Sequence, residues 1–157
     1  MQEKDNLTNN INLNAKRCLE LVSKILDVAA LGTGKITIES KPFNLKQSLL
    51  DSIDNYSTFA KERNIEINLN IPDDLNLYGD ESRLAQVFNN IILNAIKYSP
   101  ENHEIDIKLL SIDNGRAEIS FSNFHTPGQV SELPARNGVY KSVGFGLDIA
   151  REILRKH

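Results

Sequence analysis

Tryptophan is absent from this 157-residue chain, and cysteine and methionine occur once each. A single cysteine, Cys18, excludes an internal disulfide and a cysteine-rich metal site. No apolar run approaches the roughly 18 residues that a membrane helix needs, and no signal peptide opens the chain. Concentrated positive charge is missing too. Lys and Arg total 18 against 21 Asp and Glu, for a net charge of -3, and the only basic cluster is the small one at Arg151, Arg155 and Lys156. That balance argues against nucleic acid or an acidic membrane as the main partner, since both require a basic face. The remaining composition is that of an ordinary soluble domain, 40% hydrophobic and 25% charged, long enough to bury a core. A reducing, cytoplasmic setting is the expectation.

Residues 5–31 read as one long helix. Ile11, Cys18 and Ile25 recur every seven residues, with Ala15, Val22 and Ala29 in parallel. Such spacing fits a helix in a bundle or coiled coil, or an amphipathic helix lying on its own domain. Gly32 and Gly34 stop it. Lys35-Ile36-Thr37-Ile38-Glu39 alternates as a short strand, and a helix over 45–62 presents Leu45, Leu49, Ile53, Tyr56 and Ala60 on one face. Ile65, Ile67, Leu69 and Ile71 alternate as a strand that ends at Pro72. A third helix runs from Glu81 to Tyr98. Strands over 104–110 and 117–122 follow, joined at Asp113-Asn114-Gly115, a strong hairpin signal. A loop rich in Pro, Gly and polar residues covers 124–145, and a last helix begins near Gly146. Helices interspersed with hairpin-linked strands give an α+β sandwich, one sheet with helices on one face.

The helix 81–98 carries the chemistry. At 100° per residue, Leu84, Val87, Phe88, Ile91, Ile92, Ala95 and Ile96 form a broad apolar face. Asn90, Asn94 and Lys97 fall together on the other side. Asparagine is a mediocre helix former, so two in mid-helix need a reason. An amide oxygen is a hard donor suited to Mg2+, and a lysine can neutralise phosphate charge as a point cation. The plainer reading is a polar stripe that faces water.

The order from Asp80, D-E-S-R-L-A-Q-V-F-N-N-I-I-L-N-A-I-K-Y-S-P, resembles the N-box of sensor histidine kinases, within the wider GHKL group of ATP-binding folds. G-K-I-T-I-E-S-K-P-F-N-L, from Gly34, resembles the family's junction between dimerisation stem and ATP-binding domain. The resemblance implies a GHKL-type α/β sandwich, a mixed sheet covered by helices on one face and preceded by one long helix. Residues 1–33 would be a partial stem, its second helix, and 34–157 the ATP-binding domain. The family's final strand hairpin is expected to be missing after His157. By the same resemblance Asn94 is the Mg2+ ligand, Asn90 lies beside the phosphates, Lys97 contacts them, and Tyr98 borders the nucleotide.

Val143-Gly144-Phe145-Gly146-Leu147 is a Gly-x-Gly-Leu run opening a helix, where glycines admit close approach and free N–H groups meet an anion. After an N-box it resembles the family's second glycine box, which assigns phosphate contact to Gly144, Gly146 and Leu147. The first glycine box departs from the family's Asp-x-Gly-x-Gly. Asn123 stands where the adenine-binding Asp is expected, and its amide can still accept a hydrogen bond without the carboxylate's charge. His125 and Pro127 take the glycine positions, and a one-residue shift brings Gly128 into use. The loop 129–143, in the place of the ATP lid, is short.

Of His103, His125 and His157, none lies on the heptad helix, so the phospho-accepting histidine is absent and this chain alone is expected not to autophosphorylate. The resemblance therefore implies the Mg-ATP-binding domain of a kinase that, as a full-length homodimer joined through the stem, passes the γ-phosphate to a histidine and on to a response regulator receiver domain. A second reading is a degenerate module that works through protein contacts and binds nucleotide weakly, as the altered first glycine box allows. A third is another GHKL ATPase, against which the heptad helix and the stem junction argue.

Overall fold

The computed structural model describes residues 37–124 and 146–157. The heptad helix, Gly34, Lys35 and Ile36 of the stem junction, and the loop 125–145 with Gly128 and Gly144 lie outside the described residues.

Two small sheets form. Strand β1 (Lys41–Asn44) pairs antiparallel with β3 (Asn76–Gly79) as a ribbon. Strands β2 (Glu66–Asn70), β4 (Glu104–Asp113) and β5 (Arg116–Asn123) make a mixed sheet in the order β2-β4-β5, with β2 parallel and β5 antiparallel to β4. The hairpin turns at Asn114 and Gly115, whose φ values of 47° and 76° are the paired positive angles of a tight two-residue turn. Both strands outrun the expected ends, and a register shift between Leu109 and Ser111 accommodates the extra length.

Helices α1 (Leu45–Asp54), α2 (Ser57–Glu62), α3 (Glu81–Tyr98) and α4 (Gly146–Lys156) complete the described fold. Alternation decides which side of the sheet they cover. Ile105 and Ile107 are fully buried, whereas Asp106 and Lys108, between and after them, form an ion pair at 3.3 Å. The core joins those isoleucines to Leu45 and Leu49 of α1 and to Phe88, Ile92 and Ile96 of α3. Burying each such side chain contributes about 1.5–3 kcal/mol. A second cluster sets Val87 and Ile91 of α3 against Ile149, Ala150 and Ile153 of α4. Helix α3 is thus held between sheet and α4.

Three expectations need correction. Residues 37–40 take no regular secondary structure, and the strand lies further on, over Lys41–Asn44. The Glu39 N–H is committed to the Asp80 carboxylate at 3.1 Å rather than to a ladder. The single helix 45–62 is two, broken at Asn55-Tyr56. Asn55 is a poor helix former, and its side chain instead reaches Asn89 on α3 at 3.2 Å. The four-residue β3 is too short to signal a strand in the sequence: its inward positions are Leu77 and Gly79, and Tyr78 between them is 80% exposed.

Candidate nucleotide site on the third helix

Asp80 starts α3 as its N-cap, and its carboxylate gathers donors from two segments. Oδ1 accepts from the Arg83 N–H at 3.1 Å and the Ser82 hydroxyl at 2.7 Å, and Oδ2 accepts from the Glu39 N–H. Its own N–H donates to His157 Nε2 at 3.0 Å, tying the end of α4 to the start of α3. Partial burial pushes the Asp80 carboxyl up, but the bonds from Ser82, Glu39 and Arg83 together outweigh it and hold the group below the usual carboxylate range.

Along α3, Asn90, Asn94 and Lys97 are all half-buried, and Tyr98 is 37% exposed. Asn90 Nδ2 donates to the Gly146 carbonyl at 3.1 Å. A Cβ on Gly146 would lie 3.1 Å from Asn90 Oδ1 and 3.2 Å from its Cγ, so the missing side chain is what lets α4 start against α3. Asn94 lies one turn beyond Asn90. Lys97 Nζ sits 5.4 Å from the Tyr98 ring centroid, within cation–π range. Leu147 is 52% exposed in the first turn of α4. Gly146, the first residue of α4, thereby abuts the polar stripe of α3, and a helix N-terminus is its positive pole. That juxtaposition is suited to an anion.

Asn123 ends β5 opposite Ile105, and Phe121, two residues earlier, packs its ring 6.4 Å from that of Phe88 on α3. The Asn123 amide donates locally to the Phe124 carbonyl at 3.4 Å. With His103, Asp106 and Phe124 it lines an open depression of about 450 Å³, where the Phe124 and His103 rings stack at 4.9 Å. The lining of that depression includes none of Asn90, Asn94 or Lys97 among the described residues. Asn90 of the stripe and the start of α4 are brought together; Asn123 lines this depression.

One contributor had no signal in the sequence. Arg63, in the polar run Lys61-Glu62-Arg63-Asn64, reads as a surface residue but is only 8% exposed. Its guanidinium donates to carbonyls at the end of α3.

The family described as histidine kinase-, DNA gyrase B-, and HSP90-like ATPase matches residues 79–157. The signal transduction histidine-protein kinase BarA of Escherichia coli K12 is 36% identical over 107 residues, covering 67% of this chain and 11% of BarA. Among solved structures, the catalytic domain of histidine kinase ThkA in a nucleotide-free form superposes with a TM-score of 0.61 at 26% identity, over 75% of this chain and 80% of that one. Full-length ShkA in complex with AMPPNP gives 0.66 at 28% identity, over 87% of this chain and 30% of that one. The chain spans about a tenth of the length of the Arabidopsis thaliana, Escherichia coli and Formosa agariphila histidine kinases that it matches.

Proposed function

Because the chain belongs to the histidine kinase-, DNA gyrase B-, and HSP90-like ATPase family and has the fold of a sensor histidine kinase's ATP-binding domain, we propose that it binds Mg-ATP across α3 and the start of α4 to serve phosphotransfer in a longer two-component kinase. The observation that carries this reading is the contact of Asn90 with Gly146, which sets an amide-bearing helix face against a helix N-terminus. Lys97 neutralises phosphate charge, and Tyr98 flanks the nucleotide. Gly144, Gly146 and Leu147 bring backbone donors to the phosphates. Asn123 and Gly128 meet the adenine.

Asn94 is the metal ligand in this reading. Its amide is half-buried on the same helix, one turn from Asn90, and offers a hard oxygen. Among the described residues no group of three or more His, Cys, Asp or Glu is placed to hold a metal ion. An ion that keeps phosphate and water as its other ligands needs no such group. Bound Mg2+ would offset charge on the phosphates.

The protein's task is positioning and electrostatics. In this reading residues 1–33 belong to part of the dimerisation stem and 34–157 to the ATP-binding domain. In the homodimeric parent, a stem histidine nitrogen bonds to the γ-phosphorus as the bond to the bridging oxygen breaks. ADP departs, the imidazole proton passes to solvent, and a response regulator receiver domain then takes the phosphoryl group. With only His103, His125 and His157, this chain would not autophosphorylate by itself in this reading. No described helix is long and apolar enough to cross a membrane; a domain that draws on ATP would work in the cytoplasm.

Isothermal titration with AMPPNP, with and without Mg2+, tests the proposal. Magnesium-dependent binding is expected. A folded protein that binds no nucleotide removes it and leaves the contact-only module.

A further inference from the structure

Arg63 follows α2 directly, and its guanidinium is spent on the far end of α3. Nη1 donates to the carbonyls of Ile96 and, at 3.1 Å, Lys97, while Nη2 donates to that of Ser99 at 2.9 Å. The last carbonyls of a helix lack intrahelical partners. Backbone bonds lace the same two segments together. The Asn102 N–H donates to the Arg63 carbonyl at 3.1 Å, and the Glu66 N–H donates to that of His103, also at 3.1 Å.

A glycine cap would satisfy such carbonyls without burying a charge. A full positive charge at this helix end does something a glycine cannot. The carbonyl end of α3 is its negative pole. Lys97 and Tyr98 occupy its last turn, where any anion held by Lys97 also meets that pole. The guanidinium offsets the field and fixes the carbonyls of Ile96, of Lys97 itself and of Ser99.

We infer that Arg63 is a positioning residue for the phosphate end of the nucleotide site: it acts through the last turn of α3, aiming Lys97 and cancelling the helix's negative end. This rests on the nucleotide reading proposed above. Its consequence is graded by ligand charge, so the dependence of affinity on Arg63 grows with the number of phosphates.

The test titrates the whole chain with AMPPNP, ADP and AMP in Mg2+, for the unaltered protein, Arg63→Lys and Arg63→Met. Arg63→Met is expected to lose about tenfold in AMPPNP affinity, with smaller losses for ADP and AMP. Arg63→Lys keeps the charge but not the fork and falls between. A residue that only holds the fold together would weaken all three ligands by the same factor; that result overturns the inference, as does unchanged AMPPNP affinity. Should Arg63→Met fail to fold, Arg63→Lys carries the comparison. In the unaltered protein, the Arg63 guanidinium resonances should shift more with AMPPNP than with AMP, and equal or absent shifts also overturn it. An unaltered, folded protein that binds none of the three removes the nucleotide reading beneath it, which is a different result from binding that ignores Arg63.

Discussion

The side-chain amide of Asn90 and the carbonyl of Gly146, fifty-six residues apart in sequence, meet at 3.1 Å. Through that bond the polar face of α3 fixes where α4 begins. The two residues depend on each other, because a Cβ at Gly146 would crowd the Asn90 amide at 3.1 Å.

Gly146→Ala should therefore lose both fit and affinity. The added methyl meets Asn90 Oδ1 at 3.1 Å, and the amide or the start of α4 has to move. A cost of about 1–2 kcal/mol is expected from overpacking, together with weaker AMPPNP binding. Urea denaturation and titration of the same sample check the pair. Undiminished affinity would detach Gly146 from the nucleotide site.

Asn94→Ala separates ligation from folding. Alanine is the better helix former, and the stability change should stay within about 0.5 kcal/mol. Nucleotide affinity should stop responding to Mg2+. If titrations with and without the metal still differ as in the unaltered protein, Asn94 is not the ligand.

Asp80 makes the start of α3 sensitive to acid. Its folded carboxyl sits below the usual carboxylate range. A depressed acid contributes stability that is fully present above the unfolded value and is lost as pH falls through the folded one. Asp80→Ala should cost about 1–2 kcal/mol near neutrality, as loss of a helix cap does. The difference from the unaltered protein should shrink as pH is lowered below about 4. A gap that stays constant down to the lowest pH at which both proteins fold would show that the carboxylate's charge does not matter there.

Gly79→Ala probes the junction of β3, α3 and the chain's last residue. A Cβ there would lie 2.9 Å from Leu84 Cδ1, 3.2 Å from His157 Cδ2 and 3.3 Å from Phe43 Cε1. Overpacking of this kind costs about 1–3 kcal/mol. For a domain of this size each kcal/mol lowers Tm by about 2–8 °C, so a thermal melt decides it; an unchanged Tm would mean that Leu84 and His157 move aside freely.

Pattern alone determined α3 from Glu81 to Tyr98, the strand around Ile67, the β4–β5 hairpin and the start of α4. Each of these carries a strong local signal: an apolar stripe at helical spacing, alternation over several residues, or the Asn-Gly turn. Motif order likewise points to the family without the fold. The break at Asn55, the four-residue β3 and the placement of β1 were not legible, because their conformations are set by partners distant in sequence. Asn55 turns to Asn89, β1 exists only beside β3, and the Glu39 N–H answers to Asp80. Arg63 is the clearest case. Its neighbours in sequence are polar, and nothing local distinguishes it from a solvated arginine. Only the folded chain carries its guanidinium to the unpaired carbonyls of α3, some thirty-three residues on. Sequence fixes what a segment prefers when its own side chains decide the matter. Which buried carbonyl receives which distant donor is settled by packing, when water is excluded and every polar group left inside needs a partner.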